Sequence, residues 1–112
     1  MSLNRINAYH VMWLFVFFDL PVLTKPQRKQ ATQFRKALEK DGFSMMQFSV
    51  YVRHCPSKEN MEVHVKRVRL ALPTAGQVSI LAVTDKQYSE IRNYIGAVEK
   101  AKPETPQQLE LF

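Results

Sequence analysis

Cysteine and long apolar runs are the two features that this chain most clearly lacks. Cys55 is the only cysteine among 112 residues, so no intramolecular disulfide can form and a reducing, cytoplasmic location is expected. The most apolar run, from Met12 to Phe18, ends at Asp19, whereas a transmembrane helix needs about 20 apolar residues. The same run is too short for a secretory signal. We therefore expect a protein that makes no use of a membrane.

Motifs for phosphate-loop or nucleophilic chemistry are also missing. The three glycines are scattered along the chain, which excludes a glycine-rich phosphate loop. His54 and Cys55 are neighbours on a predicted strand, so their side chains point to opposite faces and cannot act together as a base and a nucleophile. With His10 and His64 they match no structural zinc spacing. No Ser-His-Asp or paired-carboxylate motif is evident.

Positive charge is what the chain has in abundance. Sixteen Lys and Arg against 10 Asp and Glu give a net charge of +6 and a pI near 9.7. This balance favours polyanionic partners, chiefly nucleic acid. The hydrophobic fraction of 46% supplies a core, and 112 residues suffice for one domain of ordinary size but not for two.

The pattern along the chain divides it into a polar lead-in (1–10), a folded domain (11–97) and a linker with a tail (98–112). In the domain, an apolar strand precedes a helix that begins at the N-cap Thr24 and ends at Gly42. The region 43–53 follows without an internal turn signal, which leaves open one long strand or two short ones joined at a bulge.

The second half of the domain repeats this alternation of helix and strand. A helix opens after Pro56-Ser57, and an apolar strand covers residues 78–83. A short helical turn covers 84–91, and Tyr94 and Ile95 could form an edge strand. The apolar stripe of the second helix is predicted to be Met61, Val65, Val68 and Leu72.

This order of elements predicts an α+β, ferredoxin-like sandwich, with two helices on one face of an antiparallel sheet. The strands, however, are apolar on both faces: Trp13, Phe15 and Phe17 alternate with Leu14, Val16 and Phe18. Two helices cannot cover the second face, so a second copy of the chain is expected to cover it in a homodimer.

Asp19 is the sharpest candidate for a functional residue. Turn chemistry before Leu20-Pro21 would be enough to explain an aspartate here. A carboxylate that ends an apolar strand can also bind Mg²⁺, and two such carboxylates across a dimer axis would form a credible site.

Basic residues concentrate on the two predicted helices. A solvated helix face is the ordinary explanation, but the excess of one sign favours contacts with phosphates, which are independent of sequence. The candidate nucleic-acid-binding residues are Lys25, Arg28, Lys29, Arg35, Lys36, Arg53, Lys66, Arg67 and Arg69.

Several segments, taken in order, resemble one known family. They are Phe17 to Pro21, Asp41-Gly42-Phe43, Gln47 to Tyr51, His64-Val65 with Arg67-Val68, and Ser79 to Thr84. This set resembles the Cas-two family of small CRISPR-associated adaptation proteins, in the branch found beside Cas-nine-type nucleases. The resemblance spans roughly the whole predicted domain.

The resemblance implies a ferredoxin-like homodimer that bridges two dimers of the Cas-one integrase. The complex would hold a short DNA duplex and insert it as a new spacer. Many family members are also described as Mg²⁺-dependent endonucleases on RNA or DNA, with the aspartate that ends the first strand as metal ligand. By resemblance, that catalytic and metal-binding role falls to Asp19, with Mg²⁺ as cofactor.

Two classes of function are therefore expected, a DNA-bridging subunit and a metal-dependent nuclease. A third class, an RNA-recognition module, fits less well. Its aromatic signature begins with a basic residue before glycine, whereas Asp41 precedes Gly42 here.

The last five residues alternate apolar and polar side chains after a proline-bearing linker. Strand addition to the dimer partner or to the integrase, through Leu109, Leu111 and Phe112, is the favoured interpretation. Fraying and docking on the DNA sliding clamp are the alternatives.

Overall fold

A four-stranded antiparallel sheet lies at the centre of the protein, whose computed structural model describes residues 11–102. The predicted lead-in and the tail residues Leu109, Leu111 and Phe112 lie outside the described residues. The elements are β1 (Met12–Asp19), α1 (Lys25–Lys40), β2 (Ser44–Gln47), β3 (Val50–Cys55), α2 (Lys58–Leu70), β4 (Gln77–Thr84), α3 (Asp85–Ser89), β5 (Asn93–Ile95) and β6 (Val98–Lys100).

The strands are arranged in the order β2-β3-β1-β4, with β1 in the interior of the sheet. β1 pairs antiparallel with β3 on one side and with β4 on the other. Two helices connect the strands, so the α+β, ferredoxin-like fold predicted from the sequence is confirmed.

α1 begins and ends where its sequence signals lie. The Thr24 hydroxyl accepts a hydrogen bond from the backbone N–H of Gln27, and the Gln27 side chain accepts one from the Thr24 N–H, which completes a capping box. At the other end, Gly42 has φ +89°, and the Phe43 N–H donates to the Leu38 carbonyl at 2.9 Å. This is the hydrogen-bond pattern of a glycine-ended helix.

The helix-side core forms between α1, α2 and one face of β1. Leu14 and Val16 of β1 pack there with Phe34 of α1 and Val68 of α2, all of them buried. The predicted stripe of α2 is wrong at Leu72. α2 ends at Leu70, before Pro73, and Leu72 lies exposed beyond it.

The region 43–53 forms a hairpin, not one long strand. β2 and β3 meet at a two-residue turn, Phe48-Ser49, with a register shift in β2 between Met45 and Gln47. Ser49 adopts φ +68°, a value that favours glycine or asparagine. The sequence does not indicate this turn, because neither residue is the glycine or asparagine that usually takes a positive φ.

The second face of the sheet is half covered by the chain itself. The Tyr88 ring of α3 stacks on Trp13 with centroids 3.7 Å apart, and the Trp13 indole N–H donates to Asp85 at 2.7 Å. Trp13 and Phe15 are thereby only 2% and 5% exposed. The expectation that a second copy must cover these two residues is wrong. Phe17 and Leu81, in the uncovered half, remain 38% and 50% exposed.

β5 and β6 form a separate two-stranded sheet. Tyr94 and Ile95 are thus strand residues, as predicted, but they do not extend the main sheet. β6 lies within the stretch that the sequence assigned to the linker, and the Lys100 ammonium donates to the Met46 carbonyl at 3.3 Å. No helix within residues 11–102 has the length and apolar character needed to cross a membrane.

A charged cluster ties the C-terminal end of α1 to α2. The Asp41 carboxylate accepts hydrogen bonds from His64 Nδ1 at 2.7 Å and from the Arg67 guanidinium at 2.8 Å. Partial burial alone would raise the pKa of Asp41, but the hydrogen bonds and charges of Arg67 and His64 outweigh burial and hold that pKa below its usual value. The cluster therefore stabilises the folded state while Asp41 is ionised.

Replacing Asp41 with Asn should lower the free energy of unfolding near neutral pH by about 1–3 kcal/mol, because a charged acceptor of two hydrogen bonds is lost. The pKa of this carboxyl is lowered on folding, so its contribution is present above the unfolded-state value of about 3.9 and is lost as the pH falls through the folded-state value. The difference between wild type and variant should thus shrink in acid, as measured by urea unfolding near pH 7 and near pH 3. Glu62→Gln, which removes an exposed carboxylate of α2, is the control and should change stability by less than about 0.5 kcal/mol. A difference of equal size at both pH values would contradict this role.

Candidate nucleic-acid and metal site

Asp19 lies at one end of the sheet, beside a cleft on the half-covered face. It is the last residue of β1, exposed, and in register with Gln77 at the start of β4. Because side chains alternate along a strand, Asp19 shares the face of Phe15 and Phe17. The cleft has a volume of about 270 Å³ and is lined by Phe17, Phe18, Asp19, Ser49, Val50, Gln77 and Ser79. We call this edge of the molecule, where β1 ends, β2 turns into β3 and β4 begins, the Asp19 end.

Gly76 allows the loop before β4 to approach Asp19 closely. A Cβ atom on Gly76 would lie 2.8 Å from the Asp19 carbonyl oxygen and 2.8 Å from a Leu20 methyl carbon, and its φ is +97°. Any other residue would have to push this loop away from Asp19. No local pattern predicts this role, since the contact joins residues that are far apart along the chain.

The donor set of the cleft suits a hard cation. Asp19, Ser49, Gln77 and Ser79 all offer oxygen atoms, the ligand type that Mg²⁺ prefers. Within residues 11–102, however, no three His, Cys, Asp or Glu side chains group together in a way that could hold a metal. A single protomer thus brings one carboxylate to the cleft, and the rest of a Mg²⁺ shell would come from water, phosphate or a second copy.

The basic residues of α1 spread from the Asp19 end along the exposed face of that helix. Lys25, Lys29 and Lys36 are exposed. The Arg28 guanidinium donates to the carbonyls of Val22 and Leu23 at 3.2 and 3.1 Å, so it also fixes the loop between β1 and α1. The structure thereby brings the first turns of α1 to the same end as Asp19.

Arg35 is half-buried between two aromatic rings. Its guanidinium carbon lies 5.8 Å from the centroid of Phe18 and 5.0 Å from that of Phe48. Both distances are typical of a cation–π contact. Phe48 was not among the residues singled out as a site, because its position in a tight turn could not be foreseen.

The remaining basic candidates differ in the exposure of their side chains and in the contacts that these make within the protein. Lys66 and Arg69 are exposed on α2, and Arg67, also exposed, is paired with Asp41. Arg53 is half-buried and donates to the backbone carbonyls of Asp41 and His54, so it serves the fold. The role of each in binding nucleic acid stays a prediction.

His54 and Cys55 lie on opposite faces, as predicted. Cys55 is fully buried in the helix-side core, and burial raises the pKa of its thiol. His54 packs edge-on against Trp13 on the other face, and burial lowers the pKa of its ring. The structure therefore separates the base from the nucleophile.

Fold and site together define a small ferredoxin-like protein with an exposed aspartate at the end of its first strand and a basic first helix. A family profile described as CRISPR associated protein Cas2 matches residues 12–91. The chain belongs to this Cas2 family of CRISPR systems, as the resemblance predicted. The narrower assignment to the branch beside Cas-nine-type nucleases stays a prediction.

Curated relatives carry the name CRISPR-associated endoribonuclease Cas2. One from Flavobacterium psychrophilum is 51% identical over 111 residues, covering 97% of this chain and 95% of the relative. Another, from Parvibaculum lavamentivorans, is 48% identical and covers 90% of this chain and 100% of the relative. A solved structure titled "Crystal structure of cas2" matches with a TM-score of 0.56 and 19% identity, over 85% of this chain and 97% of that one, which supports the fold.

Proposed function

We propose that this protein is a homodimeric subunit of CRISPR adaptation that binds duplex DNA and bridges two dimers of the Cas-one integrase. Its membership of the Cas2 family supports a role in a CRISPR system. The observation that carries the proposal is the exposed basic surface of α1, which extends from the Asp19 end. Contacts of this kind neutralise phosphates without reading bases, as binding to arbitrary spacer sequences requires.

Dimerisation in this proposal uses the uncovered half of the second sheet face. Phe17 and Leu81 are exposed there beside the cleft of Asp19, while α3 covers the other half. A two-fold contact through this area would bury both residues of each copy and would bring the two Asp19 residues to the same interface.

Leu81→Glu should convert the dimer into a folded monomer, because it places a charge in the centre of the proposed contact. Sedimentation equilibrium at micromolar concentration measures the change. Leu70→Glu places the same charge at an exposed apolar position of α2 and should leave the dimer intact. A wild-type protein that is monomeric in this experiment would exclude the proposed interface.

For DNA binding, the double variant Lys25→Ala/Lys29→Ala should bind random-sequence duplex more weakly and with a flatter salt dependence. Each lost phosphate contact lowers the slope of log K against log salt by about 0.9, so the expected change is about 1.8. Fluorescence anisotropy over a salt series gives this slope.

The control for that variant removes the same charge elsewhere. Lys58 and Lys86 are exposed near the opposite end of the sheet, at the start of α2 and in α3. Lys58→Ala/Lys86→Ala should leave the slope unchanged. Equal effects of the two double variants would mean that only net charge matters and that α1 forms no specific surface.

A second candidate function is Mg²⁺-dependent cleavage of RNA or DNA at Asp19. The printed name of the relatives, endoribonuclease, favours cleavage of RNA. In the proposed dimer, two Asp19 carboxylates would share Mg²⁺ with water and substrate phosphate. Mg²⁺, when bound, would polarise the scissile phosphate and make its water ligand a better nucleophile. Ser49, Gln77 and Ser79 line the same cleft, and residues of these types can donate hydrogen bonds to phosphate oxygens. The basic residues of α1 would hold the phosphates on either side.

Asp19→Asn should reduce Mg²⁺-dependent cleavage of labelled RNA to the level of a protein-free sample, since a neutral amide is a far weaker Mg²⁺ ligand than a carboxylate. Dimerisation should stay intact, because Asp19→Asn keeps the size of the side chain and adds no charge to the proposed interface. Duplex binding should not weaken, because the substitution removes no cation. Glu62→Gln, purified in parallel, controls for contaminating nucleases and should retain full cleavage. Activity that persists in Asp19→Asn would place any cleavage elsewhere.

A further inference from the structure

Phe48 is the most exposed aromatic side chain within residues 11–102. It occupies the first position of the turn between β2 and β3, and 78% of its surface faces solvent. Single exposed apolar residues are common in proteins, so exposure alone indicates nothing. Three further observations distinguish this ring.

The first observation is its contact with Arg35. The guanidinium carbon lies 5.0 Å from the Phe48 centroid and 5.8 Å from that of Phe18, whose ring is buried. Arg35 therefore links the exposed ring to the buried core by two cation–π contacts. The contact occupies only part of the Phe48 ring and leaves the rest to solvent.

The second observation is the conformation of the turn and its hydrogen bond to β1. Ser49 holds φ +68°, a conformation that costs a non-glycine residue roughly 1–2 kcal/mol. Its carbonyl accepts the Phe18 N–H at 3.1 Å, so the turn is bonded to β1 one residue before Asp19. Strained conformations of this kind persist where the surrounding structure enforces them, often at functional sites.

The third observation is the place of the ring relative to the proposed dimer. Phe48 contacts Arg35 of α1 on the helix side of the sheet, whereas Phe17 and Leu81 lie on the other face. A dimer closed through Phe17 and Leu81 would leave Phe48 outside. Dimerisation therefore does not explain why this aromatic ring is exposed.

We infer that Phe48 and Arg35 form a stacking site for one unpaired nucleobase of a strand bound at the Asp19 end. An aromatic ring beside a guanidinium offers a base both stacking and a nearby positive charge, and α1 supplies further cations for the adjoining phosphates. Bases inside a duplex are paired and stacked on each other, so only a single-stranded segment or a frayed end can use this site. The inference rests on the proposed binding of nucleic acid and adds to it a site for strands with unpaired bases.

The test compares three probes, a 12-nucleotide single-stranded RNA, the matching DNA strand and the blunt DNA duplex, all in EDTA so that nothing is cleaved. Phe48→Ala should weaken binding of the single strands by about 5- to 150-fold, the usual range for one stacked base, and leave the duplex within about twofold. Phe48→Trp should bind as wild type does, and Phe48→Leu, which keeps apolar surface but not the ring, should bind as Phe48→Ala does. An RNA or DNA preference appears as different losses on the two strands.

Leu70→Ala is the matched control. Leu70 is exposed to the same degree, 79%, but lies at the end of α2. Its removal should leave binding of all three probes unchanged. Because both residues are exposed, both variants should stay folded. Leu70→Ala should unfold at the wild-type temperature, and Phe48→Ala, which loses an exposed cation–π contact, should unfold only a few degrees lower.

The same binding assay with modified strands identifies which base stacks on the Phe48 ring. When single abasic sites are introduced along the strand, one position should weaken binding to wild type and have no further effect on Phe48→Ala. With Phe48→Trp, stacking should also quench the fluorescence of the new indole, while Trp13 stays buried.

Three results would overturn the inference: unchanged single-strand binding by Phe48→Ala, wild-type binding by Phe48→Leu, or an equal loss on the duplex. Loss of integrase binding without loss of single-strand binding would make Phe48 a protein contact instead. These outcomes are independent of catalysis at Asp19, since binding is measured without metal. Cleavage can thus persist in Asp19→Asn while Phe48→Ala still weakens single-strand binding. The opposite combination can also be observed.

Discussion

The burial of β1 on both faces is the constraint on which the rest of this structure depends. Met12 to Val16 are all buried, with Leu14 and Val16 in the helix-side core and Trp13 and Phe15 under α3. A slip of one residue in the pairing of β1 would exchange these two sets between unlike environments. The register is therefore fixed, and with it the position of Asp19 opposite Gln77. The geometry of the candidate site is set by packing of residues that take no part in it.

The sequence predicted those parts of the fold that depend on local interactions. Two such parts are the capping box of Thr24 and Gln27 and the end of α1 at Gly42. Both depend on hydrogen bonds within a few residues, so the local sequence predicts them. The position of Asp19 at the end of the first strand is predicted for the same reason. The turn at Phe48-Ser49 was not, since Ser49 holds its positive φ without the side chain that usually signals one. The contacts around it, not its own preference, determine that conformation.

Long-range contacts account for the other differences. The hydrogen bond from Trp13 to Asp85 joins residues 72 positions apart, and no pattern in either segment predicts it. This hydrogen bond holds α3 on the second sheet face. Only the half of that face beside Asp19 is therefore left exposed for a partner. Arg53 is a similar case, because its bond to the Asp41 carbonyl makes a residue that looked like a phosphate ligand part of the fold. Composition can identify a basic protein, but only the structure separates its free cations from its engaged ones.

Dimerisation and metal binding would use the same part of the second sheet face, the exposed apolar half beside Asp19. Phe17 lines the same cleft as Asp19, so an interface that buries Phe17 would also determine what surrounds that carboxylate. A lone carboxylate at the Asp19 end opposes the approach of phosphate, and this opposition is strongest within the screening length of about 10 Å. A divalent cation shared by two such carboxylates would reverse it. Binding of duplex DNA along α1 needs no such reversal, whereas cleavage at Asp19 does. The two functions therefore make different demands on one surface, and a protein of this construction can retain the first after losing the second.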